Sequence, residues 1–208
     1  MEWQQIGSDV PAGGNWITAK IGRLAMKLMG WRIAGEFPNQ PKLIVAVAPH
    51  TSNIDFLLTV IVIWGLGMRA SFLVKESLFR FPLGILMSAL GGIPVDRNSP
   101  QGLVAQLTER FNSQSQLILG IAPEGTRRNV LEWKRGFALI AQSAKVPVMP
   151  AVLNYETKVV HFHDLLDDVS DAERILSAVQ PAVASGAPRR RIYAPGFFTY
   201  SKCLVKGE

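Results

Sequence analysis

Short apolar runs alternate along this chain with longer segments of helical periodicity, and this alternation limits the fold more than any other feature. Five runs have the length and composition of strands: residues 43–48, 70–74, 92–95, 117–122 and 146–153. Five segments between and after them have helical spacing: residues 54–66, 77–90, 100–113, 134–145 and 171–184. Strands that alternate with helices form a largely parallel sheet covered on its faces. We predict an α/β fold, a single three-layer domain with a mostly parallel mixed sheet flanked by helices.

The chain is long enough for one domain and its attachments. Its 208 residues are 48% apolar and 18% charged, which supports one substantial core. We predict an amphipathic N-terminal segment at residues 1–30, a core at residues 31–160, and a C-terminal helix and extended tail at residues 161–208 packed on the same domain. No clear sheet signal follows Val160.

The charge balance indicates an anionic partner. Lys and Arg total 22 against 16 Asp and Glu, a formal charge of +6. Nucleic acid, an anionic membrane surface and a phosphorylated substrate all fit this excess. The single cysteine, Cys203, excludes an internal disulfide. Because no secretory signal pattern opens the chain, a reducing, cytoplasmic setting is expected.

One apolar stretch has a length that would just span a bilayer. It runs over residues 56–74 and is interrupted by Gly65, Gly67, Arg69 and Ser71. Glycines stop helices, so we predict instead a buried helix near residues 54–66, a glycine turn and a strand at residues 70–74.

The segment from Trp16 to Met29 alternates apolar residues with basic ones at helical spacing. Lys20, Arg23 and Lys27 supply the positive charge. Such a helix can lie in the headgroup layer of an anionic membrane. The alternative is an ordinary amphipathic helix packed on the domain.

The hexapeptide at residues 50–55 follows directly on the first long apolar run and holds a candidate general base. Ser52 has the character of a helix N-cap, which puts Asp55 in the first helical turn and His50 just before it. Across such a helix start, an imidazole and a carboxylate can hydrogen-bond, which fixes the tautomer and stabilises the imidazolium. The alternative is that Asp55 only caps a helix and His50 only ends a strand.

Other polar residues fall at the ends of the remaining predicted strands. In a parallel sheet these ends meet at one edge, where ligands bind. Arginine there suits a phosphate, because its planar fork donates two hydrogen bonds to one group, and glycine allows a sharp turn. The alternative is weak ion pairing with neighbours such as Asp96 and Glu76. The residues concerned are Lys75, Arg97, Glu124, Gly125 and Arg127.

Four blocks in order resemble those of the glycerolipid acyltransferase superfamily, which includes the 1-acylglycerol-3-phosphate acyltransferases. The resemblance covers roughly residues 30–160, and the segment Lys75-Glu76-Ser77-Leu78 agrees with it. The blocks are His50-x-x-x-x-Asp55, Gly92-Ile93-Pro94-Val95-Asp96-Arg97, Pro123-Glu124-Gly125-Thr126-Arg127 and Val146-Pro147-Val148-Met149-Pro150.

The resemblance implies a reaction and the roles of individual residues. His50 would take a proton from an acceptor hydroxyl, which attacks an acyl thioester directly without an acyl-enzyme, and Asp55 would orient His50. Direct transfer agrees with the lack of a Gly-x-Ser-x-Gly nucleophile elbow. The residues implied in holding the phosphate of the acceptor are Arg97, Glu124, Gly125, Thr126 and Arg127, and we place Lys75 with them.

The resemblance also implies the substrates and the setting. The donor would be acyl-CoA or an acyl carrier protein thioester, with no metal or other cofactor. The acceptor would be a lysophospholipid, with 1-acylglycerol-3-phosphate favoured. Many relatives begin with membrane helices, for which the basic N-terminal segment would substitute here. We therefore expect a peripheral enzyme on the cytoplasmic face of an anionic membrane, with no nucleic-acid partner.

The chain departs from the family pattern in its second block. Residues 93–95 are aliphatic and include a proline, where relatives often carry an aromatic residue. The acceptor pocket is therefore expected to differ. Two alternatives to this function stay open: an acyltransferase for a different lipid acceptor, and a non-catalytic lipid-binding module on the same scaffold.

Three further patterns have simpler interpretations. Residues 65–70 match a loose dinucleotide fingerprint but follow a helix and precede a strand, the reverse of the required order. His161 and His163 share a face, as in a strand metal site, yet no ordered third ligand is near in sequence. The basic cluster at residues 189–191, near aromatic residues, resembles a nucleic-acid or lipid contact but is expected to be solvated.

Overall fold

A computed structural model describes residues 3–95, 100–125, 133–183 and 186–188 of the chain. The strands are β1 (Arg32–Ala34), β2 (Lys42–Ala48), β3 (Ser71–Lys75), β4 (Gly92–Val95), β5 (Leu117–Ile121), β6 (Val148–Asn154) and β7 (Val159–Phe162). The helices are α1 (Trp16–Met29), α2 (Asn53–Leu66), α3 (Leu83–Ala89), α4 (Pro100–Ser113), α5 (Gly136–Ala144) and α6 (Ala172–Val183), with a 3₁₀ turn at Glu76–Phe79.

The strands form one mixed sheet in the order β1-β7-β6-β2-β5-β3-β4. The five strands from β6 to β4 are mutually parallel, whereas β7 is antiparallel to β6 and β1 runs parallel to β7. The predicted α/β fold with a mostly parallel mixed sheet is therefore confirmed. The carboxyl ends of the five parallel strands lie at one edge of this sheet.

Both faces of the sheet are covered, which produces the three layers. Along β2, Leu43 and Val45 belong to a core shared with α1 and α2, whereas Ile44 and Ala46 belong to a core shared with α4, α5 and α6. Because side chains alternate across a strand, a strand covered on both sides must be apolar at every position. This explains the unbroken apolar run that precedes His50.

Helix α1 has the predicted bounds and packs on α2. It begins at the N-cap Asn15 and ends at Gly30, which has the left-handed conformation that favours glycine. At the crossing, a Cβ on Gly22 would overlap the main chain of Gly65, so only glycine allows this close approach. The outward face of α1 is nonetheless apolar, and its exposed apolar side chains are Trp16, Ile17, Ile21, Leu24 and Leu28.

The long apolar stretch is divided as predicted. Helix α2 stops at Leu66, Gly67 caps it in the left-handed conformation, and β3 begins at Ser71. Over the part of the chain that the structure describes, no helix combines the length and the apolar character that crossing a membrane requires.

Two parts of the predicted secondary structure were wrong. The helix expected over residues 77–90 is instead a 3₁₀ turn and the short α3, separated at Pro82, whose ring lacks the N–H that a continuous helix needs. The sheet also continues beyond Val160, because β7 pairs with β6 and with the three-residue β1. Strands this short owe their structure to neighbouring strands rather than to their own sequence.

The region of the 3₁₀ turn and α3 exposes a second group of large apolar side chains. Phe81 is 86% exposed, and it is accompanied by Leu78, Leu83, Ile85 and Leu86. A cavity of about 630 Å³ separates the end of α3 from the start of α1 and the end of α2. Among the exposed large apolar residues of α1 and of this second group, Trp16 lines this cavity.

Candidate active site

The turn between β2 and α2 presents His50 at the carboxyl edge of the sheet. Strand β2 ends at Ala48, and α2 begins at Asn53 after its N-cap Ser52. The Ser52 hydroxyl accepts the Ile54 N–H at 3.2 Å, and the Asp55 carboxylate accepts the Ser52 N–H at 2.6 Å. This reciprocal capping box satisfies N–H groups that a helix start leaves unpaired. It also brings residues 50 and 55 together although they are five positions apart.

Asp55 is buried, with 1% of its surface exposed, and both of its carboxylate oxygens are engaged. Oδ2 accepts the main-chain N–H groups of Thr51 at 2.7 Å and Ser52 at 2.6 Å. Oδ1 accepts the hydroxyl of Tyr155 at 2.6 Å. A buried carboxylate needs such donors to compensate for lost hydration.

The His50 imidazole lies beside this carboxylate. Nδ1 of His50 is 3.9 Å from Oδ2 of Asp55, and 21% of the His50 side chain is exposed. This separation is longer than a hydrogen bond, but catalytic hydrogen bonds are often long in the absence of substrate. The partly exposed ring can meet a substrate while its inner nitrogen faces a buried acid.

Glu124 is buried beside the turn that carries His50. It is 2% exposed, and its carboxylate accepts the main-chain N–H of His50, at 3.0 Å to Oε2 and 3.3 Å to Oε1. Strands β2 and β5 are neighbours, so the turns that follow them lie side by side. In this structure the carboxylate therefore supports the His50 main chain, and the role of Glu124 in holding the acceptor phosphate stays a prediction.

The remaining predicted site residues divide between described and undescribed parts of the chain. Gly125 has a φ of 62°, a left-handed conformation that supports the predicted sharp turn. Lys75 is exposed at the end of β3, at the same edge as His50 but on the far side of β5. Arg97, Thr126 and Arg127 lie outside the described residues.

Sequence reasoning missed Tyr155. The signal was available, because Tyr155 directly follows β6, and β6 is parallel to β2 and next to it. The strand-end argument used for Arg97 and Glu124 therefore applied here too. The Tyr155 ring also packs edge-on against Trp31, with ring centroids 4.8 Å apart.

His161 lies within β7, and His163 directly follows the strand. The rings of His161 and His163 are 4.2 Å apart, and burial, reinforced by the nearby His161, lowers the pKa of His163. Within the described ranges, no group of three or more His, Cys, Asp or Glu side chains is arranged to hold a metal ion.

Comparison with known sequences places this site in a family. Residues 32–154, which contain all of the predicted site residues, match the Acyltransferase family. The chain belongs to this family. The predicted membership of the glycerolipid acyltransferase superfamily is thereby confirmed, over nearly the range that the four blocks indicated.

Named acyltransferases are among the similar proteins. The chain is similar to the 1-acyl-sn-glycerol-3-phosphate acyltransferase of Saccharomyces cerevisiae, with 31% identity over 70% of this chain and 50% of that protein. It is also similar to the 1-acyl-sn-glycerol-3-phosphate acyltransferase of Cocos nucifera, with 29% identity over 67% of this chain and 47% of that protein. The chain thus spans about half the length of the curated relatives that it matches.

A solved structure shares the fold of this acyltransferase-family chain. It is the 1-acyl-sn-glycerophosphate acyltransferase of Thermotoga maritima, which aligns with a TM-score of 0.54 and 20% identity. The alignment covers 80% of this chain and 77% of that protein. This likeness extends the family assignment to the three-dimensional fold.

Proposed function

We propose that this protein transfers a fatty acyl group from an acyl thioester to the hydroxyl of a lysophospholipid, with 1-acylglycerol-3-phosphate as the preferred acceptor. The observation that carries the proposal is the partly exposed His50 beside the buried Asp55. The family assignment and the names of the similar proteins support the same reaction class.

In the proposed reaction, Nε2 of His50 takes the proton of the acceptor hydroxyl. The hydroxyl oxygen attacks the thioester carbonyl, the carbon–sulfur bond breaks, and the departing thiolate receives the proton from the His50 imidazolium. The products are an ester and a free thiol. Asp55, on the Nδ1 side of the ring, favours the tautomer whose Nε2 is unprotonated and stabilises the imidazolium.

A substrate panel tests this proposal. The purified protein is supplied with acyl-CoA and with acyl carrier protein thioesters, and with lysophospholipids of several headgroups and 1-monoacylglycerol as acceptors. Turnover with 1-acylglycerol-3-phosphate is expected. Turnover with a different acceptor alone would favour an acyltransferase for that other lipid. The absence of turnover with every donor and acceptor would favour the non-catalytic lipid-binding module.

Arg97 and Arg127 are proposed to bind the phosphate of the acceptor. Because a hydrogen bond to a charged group contributes about 1.5–3 kcal/mol, Arg97→Ala or Arg127→Ala should raise KM for 1-acylglycerol-3-phosphate about 10- to 100-fold. Steady-state kinetics at saturating donor measure the change. Transfer to 1-monoacylglycerol, if detectable, is the control and should be unaffected, whereas equal losses on both acceptors would contradict phosphate binding.

The protein is proposed to work while bound to an anionic membrane, on its cytoplasmic face. The outward apolar face of α1 is accompanied by exposed basic residues at Lys20, Arg23 and Lys27, and α1 has no acidic residue. Exposed apolar side chains near basic groups are typical of surfaces that lie in the headgroup layer. The exposed apolar side chains from Leu78 to Leu86 are proposed as a second contact with the membrane.

Reversing one charge on α1 is expected to weaken membrane binding. A basic residue near an anionic surface contributes about 1 kcal/mol, so Lys20→Glu should lower the partition coefficient about 30-fold. Sedimentation with liposomes containing an anionic phospholipid at low salt measures this. Lys145→Glu is the matched control, since Lys145 is exposed at the end of α5 on the opposite face of the sheet. Equal losses in both variants, or no sedimentation of the unmodified protein, would contradict the proposal.

A further inference from the structure

The hydroxyl of Tyr155 joins the proposed catalytic pair from a part of the chain 100 residues away from Asp55. It donates to Oδ1 of Asp55 at 2.6 Å, while the two main-chain N–H groups at the start of α2 donate to Oδ2. The carboxylate is therefore held at both oxygens. Oδ2, the oxygen held by the helix start, is the one nearest to Nδ1 of His50.

Tyr155 is itself held in place on two sides. Its main-chain N–H donates to the carbonyl of Ala187 at 2.9 Å, and its ring packs edge-on against Trp31. Trp31 is buried, with 4% of its surface exposed. The hydroxyl thus reaches Asp55 from a supported position, so that it can restrict rotation of the carboxylate.

We propose that Tyr155 is a positioning residue, whose hydroxyl orients the Asp55 carboxylate towards His50 and takes up part of its negative charge. The expected effect of Tyr155 on the reaction rate rests on the proposed acyl transfer. Its electrostatic part concerns His50 directly, and is testable whether or not a substrate is turned over.

The sign of the electrostatic effect follows from the hydrogen bond. A donor at Oδ1 draws negative charge away from the carboxylate, and so away from Oδ2. Without this donor the carboxylate attracts the His50 imidazolium more strongly, and His50 holds its proton to a higher pH. Loss of the hydroxyl should therefore move the titration of His50 upward, while a looser carboxylate slows proton transfer.

Tyr155→Phe removes the hydroxyl and keeps the ring against Trp31. We expect kcat to fall about 10- to 30-fold with KM for donor and acceptor within about twofold, because a general base contributes about 100- to 10,000-fold in total and remains present. The acidic limb of kcat/KM should move to higher pH. Thermal unfolding should occur about 2–4 °C lower, the shift expected in a chain of this length for the loss of one typical hydrogen bond.

The NMR titration of the His50 imidazole provides the readout that needs no turnover. The chain has three histidines, so the His50 signal is identified by its disappearance in His50→Ala. In folded Tyr155→Phe, this signal should titrate at a higher pH than in the unmodified protein. A titration that stays in place or moves to lower pH would overturn the proposal.

Trp31→Phe is the matched control, since it loosens the packing around Tyr155 without removing the hydroxyl. It should leave the His50 titration in place. If it reproduces the shift seen in Tyr155→Phe, packing alone is responsible and the role of the hydroxyl is refuted. If the unmodified protein shows no transfer but Tyr155→Phe shifts the titration, the proposed function fails while the Tyr155–Asp55–His50 coupling stands.

Discussion

Replacing His50 with alanine is expected to lower kcat about 100- to 10,000-fold, the range that a positioned general base contributes. Without the imidazole, only water is left to accept the proton of the attacking hydroxyl, and water is a much weaker base. The effect should fall on kcat rather than on KM, because the proton is transferred only as the reaction proceeds.

Transfer of a radiolabelled acyl group at saturating substrates measures this loss. Folding should survive, since His50 is partly exposed and its main-chain N–H, which donates to Glu124, remains in alanine. His161→Ala is the matched control, because His161 lies within β7 and contacts His163 rather than Asp55. Transfer that survives His50→Ala at near its original rate would remove the general-base role from His50.

Replacing Asp55 with asparagine is expected to lower kcat about 100-fold or more, since a neutral amide cannot stabilise the His50 imidazolium. Asparagine keeps one oxygen for the main-chain N–H groups at the start of α2. Its amide group then faces the Tyr155 hydroxyl, which can reverse to accept. Folding should therefore continue with a loss of about 1–3 kcal/mol in the free energy of unfolding.

Asp55→Ala separates the two roles of this residue. It leaves the N–H groups of Thr51 and Ser52 and the Tyr155 hydroxyl without their acceptor, so stability should fall further, by about 1–3 kcal/mol for each buried group left unsatisfied. Urea unfolding compares the two variants. The larger loss of stability in Asp55→Ala, with similar losses of transfer in both, is the expected result.

Ser52→Ala is the control for the helix cap. It removes the hydroxyl that accepts the Ile54 N–H, at a cost of about 1 kcal/mol, but leaves the Ser52 N–H on Asp55. Transfer should stay near its original rate. If Ser52→Ala and Asp55→Asn instead lost the same activity, Asp55 would be a helix cap and no more, the interpretation that the hexapeptide alone left open.

Much of the scaffold was predictable because it depends on interactions between residues that are close together in the sequence. The strand β2 is apolar from Leu43 to its end, the N-cap Ser52 starts α2, and Gly67 ends it. Each of these signals acts over a few neighbouring residues. One mistake arose where the decisive partner was distant, since β7 depends on β6 and β1 for its hydrogen bonds. The other, the single helix expected over residues 77–90, overlooked the local effect of Pro82.

The candidate site was predictable only in part. The strand-end argument correctly took His50 and Glu124 to the same edge, because parallel strands end together. The same argument could not predict that the Glu124 carboxylate accepts the His50 main-chain N–H. The division of the chain at residues 30 and 160 stays a prediction. So do the roles of the site residues, which are His50, Asp55, Lys75, Arg97, Glu124, Gly125, Thr126 and Arg127.

The sequence by itself determined the α/β architecture, the membership of a family and the juxtaposition of His50 with Asp55, since each depends on spacing along the chain. Only the tertiary structure decided that Asp55 is buried and that its second oxygen is held by Tyr155. It also decided that α1 packs on α2 while exposing an apolar face. Burial and long-range hydrogen bonds depend on which residues the folded chain brings together, and a local sequence pattern does not specify those contacts.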